Sequence, residues 1–288
     1  MEFNSFTFVF LFAILTSVLA LLWLNFRQDK AIKRSFNEVP DGFKETITLE
    51  DHQKAGNYTK AKLLVNHFEI IFSTFIVLLW TIGGAMNWLD VFWSQRISNP
   101  ILMGTTFIVS IMLIASFIDL PFSIYRNFVL EQKFGFNRMT VKTFTADLIK
   151  EILLTLILMI PLIYAILYLM NISSIGDYWW IYVWVIISLF TLTMMWIYPS
   201  FIAPIFNKFN PLDNDALKSR INNLLERTGF GSDGIFVMDG SKRSSHGNAY
   251  FTGIGKNKRI VFFDTLLKGM EDKEIEAILA HELGHFHH

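Results

Sequence analysis

The chain has 288 residues, no cysteine and 25 basic residues against 25 acidic ones; 52% of it is hydrophobic, 17% is charged and 29 residues are Phe. A soluble domain carries about a quarter charged residues, so this deficit, with a mean hydropathy of +0.40, excludes an ordinary water-solvated enzyme. The missing cysteines exclude disulfides, thiol catalysis and Cys-ligated metal sites, leaving His and carboxylates as metal ligands, and the zero net charge carries no general signature of nucleic-acid binding.

Five stretches are apolar for about the 20 residues that a helix needs to cross a bilayer: Phe6 to Leu24, Leu63 to Gly83, Ile101 to Phe122, Ile152 to Met170 and Tyr178 to Tyr198. A helix packed on a soluble core needs only an apolar stripe, with polar residues opposite it, so runs of this length predict a polytopic membrane protein. The first stretch has small residues at Ser17 to Ala20 that loosely suit a signal-peptide cleavage site. However, no positive charge precedes it, while Arg27, Lys30, Lys33 and Arg34 follow it, which favours a retained anchor. The charged segment from Asp29 to Lys62 reads as either a helical hairpin or a flexible cap. Glu69, Asp119 and Glu151 lie near the ends of their stretches and read as interfacial carboxylates rather than a proton relay. Only Pro161 interrupts a span centrally, and nothing suggests the broken helices of a transporter.

With these spans, every Lys and Arg except Arg96 falls on one side of the membrane. Because Lys and Arg stay on the cytoplasmic face, the N-terminus is predicted outside and the chain from about residue 199 onward inside. Trp88, Trp93, Tyr178, Trp179 and Trp180 collect at the outer ends, where aromatic rings sit at headgroup level.

After Pro199 the composition becomes that of a soluble domain, so residues 1–200 form the transmembrane region and 201–288 a small α+β domain. Asp213 or Asn214 caps a helix with Leu217, Ile221, Leu224 and Leu225 on one face, ending near Gly229. Three strands follow, Ile235 to Met238, Ala249 to Gly253 and Arg259 to Phe263, the last two joined in hairpin fashion across Gly255-Lys256-Asn257. A helix opening at Glu271-Asp272 runs through Ile275, Ile278, Leu279 and Leu283.

That helix carries His281-Glu282-Leu283-Gly284-His285, an H-E-x-x-H pattern. Side chains four apart on a helix lie one above the other, so both imidazoles can grip one zinc ion. Glu282, beside the first ligand and not itself bound, can take a proton from the attacking water and deliver it to the leaving amine. Gly284 is read as giving the backbone room for close packing. A catalytic zinc needs a third protein ligand and an open position for water. His288 sits about 10 Å along the axis from His281, too far to share its ion, and His52, His67 and His246 have no ligand spacing. The pattern therefore expects the sequence to stop short of its third ligand.

Three runs, Ser241 to Phe251, Lys256 to Leu267 and Glu274 to His285, resemble the type I CAAX prenyl endopeptidases, integral-membrane gluzincin metalloproteases; Glu131 to Arg138 is also similar. The resemblance implies zinc ligands at His281 and His285, one Zn2+ per chain, Glu282 as general base and a third ligand, a Glu, on a later helix. It also implies seven spanning helices around an intramembrane chamber, five of them present here, with a zincin-like catalytic domain. Asn248, Ala249 and Tyr250 are similar to the gluzincin edge strand that binds an extended substrate; an internal strand is the alternative.

The function these features predict is a membrane-embedded zinc endopeptidase acting near the C-terminus of C-a-a-X proteins. Its expected partners are a peptide or protein substrate, prenylated or not, and the lipid bilayer. A quality-control metalloprotease for membrane proteins is the enzymatic alternative, and a non-enzymatic transporter or scaffold a more distant one.

Overall fold

The computed structural model describes residues 4–253 and 258–287, without side-chain detail for 173–175 and 285–287. The chain forms two compact units, Met1–Phe134 and Gly135–His288.

In the first unit, helix α1 (Ser5–Ser35) starts where the Asn4 side chain accepts from the Thr7 N–H. Helix α2 (Leu49–Thr81) starts where Thr48 does the same for Asp51. Each cap satisfies a backbone donor that the helix leaves open. The two helices lie side by side, with Asn66 donating to Asn25 at 3.2 Å and His52 bonding the Ser35 carbonyl at 2.7 Å. Of the two readings of residues 29–62, the helical hairpin is the one observed.

Helix α3 (Ala85–Ser94) lies between two of the apolar stretches, and the Trp93 indole donates to Ser110 at 3.0 Å. Ser110 lies on α4 (Pro100–Tyr125), where Asn99 caps and Pro100 fills the first turn. A π-helical turn, Arg126–Glu131, continues it. Arg126 reaches Glu69 at 3.1 Å and Asp119 at 3.7 Å, so one guanidinium faces both of these carboxylates.

The second unit begins with α5 (Val141–Asn171) and α6 (Trp179–Ile197); a π-helical turn, Tyr198–Ile202, leads into the short α7 (Ala203–Phe206). α5 runs through Pro161 without a break. Among the described residues, five helical segments are long and apolar enough to cross a bilayer: Ser5–Ser35, Leu49–Thr81, Pro100–Glu131, Val141–Asn171 and Gly176–Phe206. They extend past the apolar runs because their ends are polar but still helical. Phe12 is 70% exposed, Phe117 75% and Trp184 66%, a display that water would penalise and hydrocarbon does not. Hydroxyls within these helices bond the carbonyl four residues back, as Thr16, Thr74, Thr105 and Thr191 do, leaving none of these donors open to lipid. The chain is an integral, multi-pass helical membrane protein.

Strand β1 (Phe209–Pro211) comes next, followed by α8 (Asp215–Thr228), β2 (Ile235–Met238), β3 (Ala249–Thr252), β4 (Arg259–Phe263), α9 (Asp264–Gly269) and α10 (Asp272–His287). Asn214 caps α8 by accepting from Leu217, and Gly229 ends it at a φ of 66°, a left-handed conformation natural to glycine. The sheet order is β1-β2-β4-β3, with β2 and β4 parallel and the outer pairs antiparallel. β3 and β4 pair as the hairpin reading expects, although residues 254–257, where that reading puts its turn, lie outside the described residues.

The core is Leu217, Ile221 and Leu225 of α8, Ile235 of β2, Ile260 and Phe262 of β4, Leu266 of α9, and Ile275, Leu279 and Leu283 of α10. β1, α3 and α9 escape the sequence reading because they span only three, ten and six residues, too few for a distinct period. Ile221 has no exposed surface. Ile221→Ala is expected to lower the unfolding free energy by about 3 kcal/mol through lost burial and a residual cavity, measured by chemical denaturation of the purified chain in detergent.

Candidate active site

Helix α10 owes its position to Ile275, Leu279 and Leu283, a stripe at four-residue spacing pressed into the core. At its start the Glu271 N–H bonds the Glu274 carboxylate at 2.9 Å, and Asn214 and Arg220 reach Asp272 and Glu276, each at 3.2 Å. The helix is therefore fixed along one side and at its beginning. His281 is exposed and Glu282 half-buried near the packed face. The helical backbone continues unbroken to residue 287, so positions 281 and 285 lie one turn apart, about 6 Å between Cβ atoms. The side chain of His285, and His288 altogether, fall outside the described residues.

The two imidazole positions suit a metal that favours nitrogen donors. Among the described residues, no group of three metal-ligating side chains converges. His52 and His67 instead bond backbone carbonyls of their own helical hairpin. No described atom lies within 4 Å of a Cβ built at Gly284, so close packing does not account for this glycine. Among the described residues, nothing covers the helix at this position.

β3 lies at the end of the sheet and pairs only with β4 among the described residues. Its outer backbone groups are therefore unpaired by the sheet. Asn248 leads into it, accepting from the N–H of Phe263 through its carbonyl and from that of Ala249 through its side chain, both at 2.9 Å. Ala249 is half-buried against the core. The Tyr250 ring meets Phe263 edge-on, with centroids 6.2 Å apart; burial, with nearby Tyr198 adding to it, pushes its phenol above the ordinary value.

The turn before β3 is held from several directions. The Arg243 guanidinium bonds Asp147 of α5 at 2.8 Å, the Phe206 carbonyl at 2.7 Å and the Asn207 side chain. Both members of the ion pair are largely buried, their side chains 20% and 11% exposed. Arg138 donates its N–H to the Arg243 carbonyl and Ser245 donates to the Phe136 carbonyl, each at 3.0 Å, around an antiparallel bridge between Asn137 and Ser244. The imidazole of His246 stacks on Phe136, with centroids 4.3 Å apart. A Cβ at Gly247 would lie 3.1 Å from the Leu266 side chain and 3.2 Å from its Cα, so a larger residue here would press on Leu266. Ser241 donates both its N–H and its hydroxyl to Asp264 at the start of α9. Burial pushes the Asp264 carboxyl up, but the Ser241 bonds and Lys268 together outweigh it and hold it below the ordinary value.

The sequence offered no route to the Arg243 clamp, because Asp147 and Arg243 are separated by 96 positions in the chain. Two runs noted in the sequence touch it, Ser241 to Phe251, which contains Arg243, and Glu131 to Arg138, whose last residues pair with this turn.

Comparison with known proteins gives a consistent result. Residues 28–208 match the model of the CAAX prenyl protease N-terminal region, described as five membrane helices, and residues 211–288 match that of peptidase family M48. The chain is 37% identical over 274 residues to the CAAX prenyl protease 1 homolog of Dictyostelium discoideum, covering 92% of this chain and 63% of that protein. It is 36% identical over 278 residues to CAAX prenyl protease 1 of Saccharomyces cerevisiae, covering 92% and 60%. The crystal structure of S. mikatae Ste24p superimposes with a TM-score of 0.85 at 35% identity, covering 95% of this chain and 65% of that one. The chain thus spans a little under two thirds of the relatives it matches.

Asp147→Ala leaves the Arg243 guanidinium with neutral acceptors only. It is expected to cost about 2 kcal/mol, less than the roughly 3 to 5 kcal/mol of breaking a fully buried pair, and to speed hydrogen exchange of the β3 amides. The Asp264 carboxyl, lowered from 3.8 in the folded chain, contributes stability that is complete above that value and lost as the pH falls through the folded value. Asp264→Asn is therefore expected to flatten the loss of stability on acidification below about pH 4, measured by denaturation across that range.

Proposed function

We propose, from the premise that the chain belongs to the CAAX prenyl protease family, whose five-helix N-terminal region precedes a peptidase family M48 domain, that it is a membrane-embedded zinc endopeptidase. The observation that carries this reading is the unbroken α10, which sets positions 281 and 285 one turn apart with Glu282 between them. His281 and His285 would hold the zinc, which when bound would supply Lewis-acid polarisation of the scissile carbonyl and a more acidic water.

The residues of this chain then divide the work. The open side of β3 takes a substrate peptide in extended form through backbone hydrogen bonds, with Asn248, Ala249 and Tyr250 as the contact strand. Glu282 accepts a proton from the attacking water as its oxygen bonds to the carbonyl carbon, and delivers that proton to the amine nitrogen as the C–N bond breaks. Placing Glu282 near the packed side of the helix restricts its motion and directs one carboxylate at one site.

The relatives' names support a C-a-a-X protein as substrate. The division near residue 200 into a membrane region and a catalytic domain rests on the change of composition after Pro199, and the placement of that domain on the cytoplasmic side on the Lys and Arg distribution, with Arg96 the single exception.

In the purified protein, Glu282→Gln is expected to keep its bound zinc, measured by elemental mass spectrometry. It should lose hydrolysis of a farnesylated C-a-a-X peptide by about a thousandfold. Hydrolysis that survives both this change and a chelator refutes the protease reading. Equal cleavage of the farnesylated peptide and its unprenylated form refutes only the substrate assignment.

A further inference from the structure

The outer face of α1 changes character at the end of the membrane span. Phe12, Leu19, Trp23 and Phe26 are exposed along it, at 70%, 57%, 55% and 60%. Arg27, Lys30 and Arg34 continue the same face, pointing away from the side on which Asn25 meets Asn66. Trp23, Phe26, Arg27, Lys30, Ala31 and Arg34 line a groove of about 340 Å³. From Trp23 to Arg34 it extends about 16 Å.

The charges in this groove differ from their neighbour. Lys33, outside it, is paired with Asp29 one turn back. Arg27 lies over the Trp23 ring at 4.9 Å, and among the described residues Arg27, Lys30 and Arg34 have no carboxylate partner. Three cations thus share one groove without an anion among the described residues, directly beyond an exposed apolar face.

We propose that this groove binds an anionic glycerophospholipid. Its acyl chains lie along Phe12, Leu19 and Trp23, and its phosphate and headgroup are held by Arg27, Lys30 and Arg34. The stem of each basic side chain lies on apolar surface while its charged end reaches the headgroup layer. Trp23 is suited to that boundary, its ring apolar and its N–H at the wet edge. A zwitterionic lipid offers the same phosphate but cancels its charge, so the groove discriminates by net charge. Each cation contributes about a fivefold gain in affinity for an anionic surface. The proposal does not rest on the protease reading, since α1 carries none of its proposed catalytic residues.

Native mass spectrometry of the full chain in neutral detergent tests it, by titration with phosphatidylserine and with phosphatidylcholine of the same acyl chains. The wild-type chain is expected to bind phosphatidylserine about a hundredfold more tightly. The triple variant Arg27→Gln, Lys30→Gln, Arg34→Gln is expected to lose that preference, whereas Lys33→Gln keeps it. Arg34→Gln alone, the mildest change to the fold, is expected to weaken phosphatidylserine binding about fivefold. A preference that persists in the triple variant, or equal binding of the two lipids by the wild type, overturns the proposal. Displacement of phosphatidylserine by millimolar inorganic phosphate also overturns it, by showing a free-phosphate site instead of a lipid site.

Discussion

One guanidinium ties the candidate substrate strand to the membrane region. Arg243 bonds a carboxylate on α5, a carbonyl at the end of α7 and the side chain beside it, while its own backbone carbonyl accepts from Arg138. Four residues from two distant stretches of the chain, 138–147 and 206–207, therefore converge on one residue, five positions before Asn248. An Arg is needed here because its planar fork presents donors in several directions at once and stays charged when buried. Lys would offer one point charge to acceptors spread around it.

The same unit shows how two solvents shape one chain. In α5 and α6 the apolar residues face outward, and the hydroxyls turn back onto the helix backbone because hydrocarbon offers no partner. Past Phe206 the rule reverses: apolar residues of β2, β4, α8 and α10 turn inward and leave the polar residues to water. α10 carries both consequences. Its buried stripe holds the helix still, and the positions beside that stripe present His281 and Glu282 outside the core.

The strongest features in the sequence were those with a period or a long run. The five apolar stretches were visible because a bilayer demands about 20 residues without relief, and α8, β2, β4 and α10 because burial on one face imposes its spacing. The motif at 281–285 was legible because a helix converts spacing directly into geometry. Elements shorter than a few turns, β1, α3 and α9, left no such mark. The Asp147–Arg243 pair and the stacking of His246 on Phe136 depend on tertiary convergence, which no local pattern records. For Gly284, the sequence suggested crowding, and no neighbour among the described residues supplies it.

The four-residue β3 is a hazard as well as an opportunity. Its pairing partner, β4, lies later in the chain, and β4 is itself positioned beside β2 across a parallel crossover. During synthesis the strand thus exists before β4 can cover its edge, and afterwards its other edge has no strand beside it among the described residues. Such an edge templates aggregation between unrelated chains as readily as it accepts a peptide. The brevity of the strand, with Asn248 before it and Gly253 after it at a φ of 95°, limits how far a stray β-ladder can grow.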